Sequence, residues 1–73
     1  MFGIDKRIVE RLKKEYPAGT RVELIYMEDP YRSIPAGTKG TVTGVDDIGT
    51  IHVNWDAGGS LGIAYGEDSC RKL

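Results

Sequence analysis

Cysteine and histidine are almost absent from this sequence. Its 73 residues contain one cysteine, Cys70, and one histidine, His52. One cysteine cannot form a disulfide within the chain, and one thiol with one imidazole is too small a ligand set for a zinc site. We therefore expect no metal and no other cofactor, and a reducing, cytoplasmic environment.

Long apolar runs are missing as well. The first residues, MFGIDKR, contain no apolar stretch of signal-peptide length. No segment approaches the roughly 20 apolar residues that a membrane-spanning helix needs. These two absences predict a protein that is neither secreted nor inserted in a membrane.

Catalytic motifs are also lacking. His52 has no serine or cysteine nucleophile beside it in a recognisable motif, and neither an EF-hand nor a phosphate-binding glycine loop is present. The loop acids Asp46, Asp47 and Asp56 stand where hairpin turns favour aspartate for local hydrogen bonds. A core of this size contributes only about 3–5 kcal/mol of net stability, which leaves little margin for a strained active site. We predict no catalytic residues and a protein that is not an enzyme.

The net charge of −1 is unevenly distributed along the chain. Residues 1–16 carry five basic and three acidic side chains, a net +2, whereas residues 17–73 carry five basic and eight acidic ones, a net −3. Nucleic-acid binding requires a basic surface. The negative charge of residues 17–73 therefore disfavours nucleic-acid binding, and the positive charge of residues 1–16 keeps it open as an alternative.

Residues 4–15 have the periodicity of an amphipathic helix. Their apolar residues recur at spacings of three and four and share one face: Ile4, Ile8, Val9 and Leu12. Pro17 ends the helix because it disfavours helical geometry at the residue before it. We assign residues 1–16 to this helical segment, and its stripe of Ile4, Ile8 and Leu12 is a candidate contact for a second copy of the chain.

Beyond Pro17 the period changes to two, which indicates strands. In the first strand Val22, Leu24 and Tyr26 are expected to share one face, with Ile25 and Met27 on the other. The predicted strands are Thr20–Met27, Gly40–Val45, Thr50–Trp55, Ser60–Ala64 and a short closing strand Cys70–Leu73. Gly44 breaks the alternation of its strand, which predicts a bulge or a sharp bend.

The connections favour a closed sheet. Asp46–Gly49 and Asp56–Gly59 are short and contain glycine, as tight hairpins require, and the connection around Asp29–Pro35 is longer. Short strands at near-regular spacing with one long first loop are typical of a small barrel. We predict a mainly β protein: an SH3-like barrel of about five strands over residues 17–73, preceded by one short amphipathic α-helix.

The order of several short segments resembles a known family. The segments are PAGTKGTV at 35–42, VDD at 45–47, GTI at 49–51, VNWD at 53–56 and the glycine pair at 58–59. Together they resemble the domain-of-unknown-function 4314 family of bacteria, phages and mobile elements, over about residues 17–73. The resemblance implies the barrel fold and a phage or mobile-element setting. It implies no activity and no functional residues.

The candidate partner-binding residues are mostly aromatic. By analogy with SH3 domains, the long first loop and the segment after the fourth strand lie close together, so that Tyr26, Tyr31 and Tyr65 could form a groove for an extended proline-rich peptide. Glu28 and Asp29 would then face a basic residue of that peptide. Alternatively, these tyrosines close the ends of a small core.

Trp55 allows two interpretations. It is in register with Ile51 and Val53 on the inner face, which favours a place at the edge of the core, and it could also contribute to a ligand surface.

The leading functional hypothesis is a protein-binding adaptor or inhibitor. The alternatives are a nucleic-acid-binding barrel and a protein that sequesters a small molecule or nucleotide signal at a subunit interface.

Overall fold

The structure, a computed structural model, describes residues 5–27 and 34–73. In this part of the chain one helix is followed by five strands: α1 (Lys6–Glu15), β1 (Arg21–Tyr26), β2 (Lys39–Val45), β3 (Thr50–Trp55), β4 (Ser60–Ala64) and β5 (Ser69–Lys72). The predicted class, mainly β with one short helix in front, is confirmed.

The residues that flank helix α1 determine where it begins and ends. The carboxylate of Asp5 accepts a hydrogen bond from the backbone N–H of Arg7 at 2.8 Å and so caps the first turn. The N–H of Tyr16 donates to the carbonyl of Leu12 at 2.8 Å, and Pro17 follows. The helix buries Val9 and Leu12, and Leu12 belongs to the core of the barrel. The helix therefore packs on its own barrel.

The five strands form one antiparallel sheet in the order β4-β3-β2-β1-β5. Strand β1 lies between β2 and β5, and the strands at the two ends of this order, β4 and β5, also contact each other. The sheet therefore curls onto itself as the predicted small SH3-like barrel. Strand β5 covers the edge of β1 that would otherwise be exposed.

Inward-facing side chains of the strands make up the core. Val22, Leu24, Val42 and Val53 are fully buried, and they pack with Ile51, Trp55, Ile63 and the helix residue Leu12. Burial of one such side chain contributes roughly 1.5–3 kcal/mol. Because a chain of this size has few buried side chains, each of them contributes a large part of the net stability.

Two bulges change which side chains face the core. The pairing of β2 with β3 shifts register between Val42 and Gly44, which confirms the bulge predicted there. A second shift, between Leu24 and Tyr26 in the pairing of β1 with β5, was not predicted. Since one extra residue reverses the alternation, Tyr26 faces outward and Met27 packs against the core. The expectation that Tyr26 shares a face with Val22 and Leu24 was therefore wrong.

The β2–β3 hairpin is held by the carboxylate of Asp46. One oxygen accepts from the N–H groups of Ile48 at 3.1 Å and Thr50 at 2.9 Å, and the other lies 2.8 Å from Nε2 of His52. Burial disfavours the ionised carboxylate, but these hydrogen bonds outweigh it and hold the pKa of Asp46 below its usual 3.8. The local turn role expected for this residue is the one observed.

We expect the stability contributed by Asp46 to depend on pH. Because its pKa is lower in the folded than in the unfolded state, the contribution is fully present above 3.8 and is lost as the pH falls through the lower, folded-state value. Urea unfolding of the wild type and of Asp46→Ala should show a small wild-type advantage at neutral pH that shrinks in acid. A difference that is the same at all pH values would contradict this.

In residues 5–27 and 34–73, no helix has the length and apolar character needed to cross a membrane.

Candidate functional site

A cleft opens where the end of α1 meets the β4–β5 end of the barrel. Its volume is about 270 Å³, and we call it the tyrosine cleft because two tyrosines line it. Its lining residues are Leu12, Glu15, Tyr16, Ile51, Ile63, Tyr65, Gly66, Asp68, Ser69 and Cys70.

The floor of the cleft is apolar and fixed. Leu12, Ile51 and Ile63 are core residues that are at most 7% exposed. They come from the helix, β3 and β4, so the floor exists only because the helix packs against the barrel. An occupant of the cleft would therefore meet a rigid apolar surface.

The β4–β5 turn forms one wall. Backbone N–H groups of Glu67 and Asp68 donate to the carbonyl of Ala64 at 3.1 and 2.9 Å. The carboxylate of Asp68 in turn accepts from the N–H of Ala64 at 2.9 Å. These bonds close the turn around Tyr65, whose side chain stays 53% exposed. A large aromatic ring is thus presented to solvent on a well-braced segment.

The opposite wall, from the end of α1, contains Tyr16. Burial raises the pKa of its phenol, and the neighbouring Cys70 and Glu15 raise it further. Burial likewise raises the pKa of the Cys70 thiol, which a hydrogen bond with Tyr16 offsets only in part. Both groups are neutral at neutral pH, and a neutral thiol is a poor nucleophile.

The charges that line the cleft are of one sign. Glu15 projects from the end of α1 and Asp68 from the β4–β5 turn, and the described lining residues include no basic one. A cation, Lys72, lies close to one wall, with its Nζ 5.6 Å from the centroid of the Tyr16 ring. Among the described residues, the cleft therefore joins an apolar floor and two aromatic rings to two carboxylates, with the cation of Lys72 beside Tyr16.

The candidate partner-binding residues are not gathered in one place. Tyr65 lines the tyrosine cleft, whereas Tyr26 lies on the outer surface of β1 and does not line it. Trp55 is only 4% exposed, and its indole N–H donates to the carbonyl of Leu61 at 3.0 Å, so it is mainly a core residue. Its edge lines a separate shallow pocket with Ile34. The remaining candidates, Glu28, Asp29 and Tyr31, lie outside the described residues.

The described part of the apolar stripe that was expected to contact a second copy packs against the chain's own barrel. Leu12 is buried in the barrel core, and Ile8 packs against that core. Ile4 lies outside the described residues. Leu12 is therefore not available to a second copy, because the barrel already covers it.

The sequence analysis did not identify Tyr16, Glu15 or Asp68 as residues of a site. Tyr16 lies four residues after Leu12 and so continues the apolar face of the helix, a signal that could have identified it. Glu15 and Asp68 had no such signal, because only the docking of the helix brings them to the same cleft.

The structure keeps His52 and Cys70 apart. His52 is exposed beside Asp46, while Cys70 is half-buried in the cleft. Within residues 5–27 and 34–73 no three histidine, cysteine or acidic side chains are placed to hold a metal ion.

Several basic side chains form ion pairs with acidic ones. Arg21 forms a bidentate pair with Asp56, and Arg71 binds Glu23 with its shortest contact at 2.7 Å. The ammonium group of Lys13 lies 2.8 Å from the carboxylate of Asp47, which ties α1 to the β2–β3 hairpin. Because these side chains are paired, fewer basic groups are available to an anionic partner than the number of basic residues suggests.

The fold and the cleft define a small SH3-like barrel whose N-terminal helix completes a tyrosine-lined surface cleft. A model of the family described as "Domain of unknown function (DUF4314)" matches residues 5–73. The chain belongs to this family, and the match includes the helix as well as the barrel. No curated protein and no solved structure matches the chain.

Proposed function

We propose that this chain is a non-enzymatic protein-binding module, an adaptor or inhibitor, that holds a short segment of its partner in the tyrosine cleft. The observation that carries the proposal is Tyr65, a half-exposed aromatic ring on a braced turn above an apolar floor. Exposed rings of this kind are typical anchors of protein interfaces. The family resemblance and the single cysteine support a bacterial phage or mobile element and a cytoplasmic location as its setting.

The size of the cleft supports a side chain of a protein as its occupant. Pockets for whole small ligands usually measure about 300–1,000 Å³, and this cleft, at about 270 Å³, is below that range. One or two side chains would fill it. The volume of this cleft therefore gives no support to the alternative of sequestering a small molecule or nucleotide signal.

The chemistry of the cleft supports binding over catalysis. Two of the groups that could act as nucleophiles, Tyr16 and Cys70, have raised pKa values and stay protonated. The acidic residues, Glu15 and Asp68, come from opposite walls of the cleft. The Asp68 carboxylate already accepts a hydrogen bond from the backbone N–H of Ala64 and so stabilises the β4–β5 turn.

Nucleic-acid binding is the second candidate function. Its support is a row of basic residues on the exposed face of α1, Arg7, Arg11 and Lys14, at helical spacings of four and three. Against it, Arg21 and Arg71 on the barrel are each paired with a carboxylate. A phosphate backbone would have to displace those carboxylates, so the observations favour the protein partner.

Replacing Tyr65 by alanine tests the proposal. Peptides are first selected on the wild-type chain from a random-peptide display library. Their affinities for the variants are then measured by isothermal titration calorimetry. We expect Tyr65→Ala to weaken binding by about tenfold or more, because hot-spot aromatics contribute about 2 kcal/mol or more.

The matched control is Tyr26→Ala. Tyr26 is exposed to the same extent, 53%, but does not line the cleft. It should leave peptide binding unchanged. Selected peptides that bind Tyr65→Ala as tightly as the wild type would overturn the proposal.

A further inference from the structure

The described sheet leaves a gap between its two end strands. Strands β4 and β5 stand at opposite ends of the strand order, and no ladder of hydrogen bonds joins them in the described residues. The tyrosine cleft lies in this gap, because its lining includes Ile63 of β4 and Cys70 of β5. The free strand edges therefore bear on how a partner segment would lie in the cleft, an inference that rests on the function proposed above.

The backbone of β4 directs alternate residues away from β3. The N–H of Trp55 donates to the carbonyl of Gly59 at 3.0 Å, which sets the phase of the β3–β4 ladder. Because hydrogen-bonded and non-hydrogen-bonded pairs alternate in such a ladder, Ser60, Gly62 and Ala64 turn their N–H and C=O groups away from β3. Those of Ala64 bond the β4–β5 turn. Those of Ser60 and Gly62 have no hydrogen-bond partner among the described residues.

Strand β4 lacks the features that commonly block pairing at an edge. Native edges are protected by charged residues, proline or a bulge. Strand β4, SLGIA, has no charged residue and no proline, and its register with β3 runs without a shift. Strand β5, by contrast, contains Arg71 and Lys72, and Tyr16 of the helix end is hydrogen-bonded to its Cys70. Of the two edges, that of β4 is the better suited to accept another strand.

A strand added to β4 would also cover the cleft. Neighbouring strands lie about 4.8 Å apart, so a strand beside β4 would lie in the gap towards β5, over the tyrosine cleft. Its side chains would alternate between the two faces of the sheet. One set would point the same way as Ile63, into the cleft beside Tyr65, and the other set would point to solvent.

We propose that the partner segment binds as an extended strand on the edge of β4, hydrogen-bonded to the backbone of Ser60 and Gly62, with every second side chain directed at the tyrosine cleft. Strand addition draws affinity from main-chain hydrogen bonds and specificity from pockets for alternate side chains. This site offers both. The partner is therefore recognised largely by its backbone, and its sequence matters at alternate positions.

Backbone-ester analogues of the selected peptides test the pairing. Each analogue replaces one amide N–H by an ester oxygen and leaves every side chain in place. We expect affinity to fall about fivefold at alternate positions, those whose N–H groups bond β4, as the loss of one hydrogen bond implies. Analogues at the positions between them should bind like the parent peptide. Isothermal titration calorimetry measures each one.

Amide hydrogen exchange reports the same contact on the chain. In the free chain the amides of Ser60 and Gly62 should exchange fast, whereas those of Leu61 and Ile63, which are bonded to β3, should exchange slowly. A saturating peptide should slow exchange at Ser60 and Gly62 at least tenfold. The amide of Lys72, on β5, is the control and should exchange at the same rate with and without peptide.

A variant of the chain removes one of the proposed hydrogen bonds. Ser60→Pro deletes an N–H that faces away from β3, at the first residue of its strand, where proline is tolerated. It should weaken peptide binding about fivefold. The control, Ser60→Ala, loses only the hydroxyl that donates to Asn54 and should bind like the wild type. Urea unfolding shows whether both variants are folded.

The outcomes separate the added strand from the binding module. Peptides that depend on Tyr65 but show neither alternating ester effects nor protection of Gly62 would overturn the added strand and leave the module standing. Protection of Gly62 that appears when the chain alone is concentrated would make a second copy the occupant and would also overturn it. If no selected peptide depends on Tyr65, the binding site itself is wrong, and the added strand falls with it.

Discussion

Replacing Trp55 by alanine is expected to leave most of the protein unfolded at room temperature. The indole is 4% exposed and packs in the main core, and removal of such a side chain costs about 3–5 kcal/mol. The whole net stability expected of a chain this small is also about 3–5 kcal/mol. Far-UV circular dichroism and urea unfolding measure the loss directly.

Trp55→Phe is the graded control for this prediction. Phenylalanine keeps an aromatic ring in the core but loses the indole N–H that donates to the carbonyl of Leu61 at 3.0 Å. We expect a stability between those of the wild type and the alanine variant. An alanine variant with the wild-type unfolding midpoint would show that Trp55 is not part of the core.

Replacing Gly40 by alanine is expected to destabilise the barrel by about 1–3 kcal/mol, the usual cost of overpacking a core. Gly40 pairs with Trp55 on β3 and with Val22 on β1. A Cβ atom there would lie 2.6 Å from Cγ1 of Val53, 2.8 Å from the backbone oxygen of Asn54 and 2.9 Å from Cε3 of Trp55. The backbone oxygen cannot move aside without disturbing the sheet.

Gly44→Ala is the matched control, because Gly44 belongs to the same strand and a Cβ atom added there would meet no atom of a non-neighbouring described residue within 4 Å. Glycine-to-alanine changes at such compatible sites are neutral or stabilise by about 0.4–1 kcal/mol. Urea unfolding followed by Trp55 fluorescence compares the two variants. Equal stabilities would contradict the close packing of Trp55 on Gly40.

The order of helix and strands could be predicted because the periodicity of the sequence changes at Pro17. In β3 the alternation of Ile51, Val53 and Trp55 is strict, and all three are buried as expected. The bulge at Gly44 was also predictable, since glycine inside a strand favours one. No glycine or proline marks the second bulge, before Tyr26. The outward orientation of Tyr26 depends instead on the pairing of β1 with β5.

The cleft was harder to predict than the barrel. Tyr65 could be singled out as an aromatic residue after the fourth strand, but its neighbours in the cleft come from a helix about 50 residues earlier. Which helix residues meet the β4–β5 turn depends on how Leu12 packs into the core. Such a contact is set by tertiary packing, which local periodicity does not encode.

Chemical-shift mapping by NMR is the most direct test of the binding site. The isotopically labelled chain is titrated with a selected peptide, and the backbone amides that shift are assigned. The proposed site predicts that the largest shifts fall on residues 65–70 and on the end of α1 around Glu15 and Tyr16. Shifts confined to Arg7, Arg11 and Lys14, or to the pocket beside Trp55 and Ile34, would contradict it.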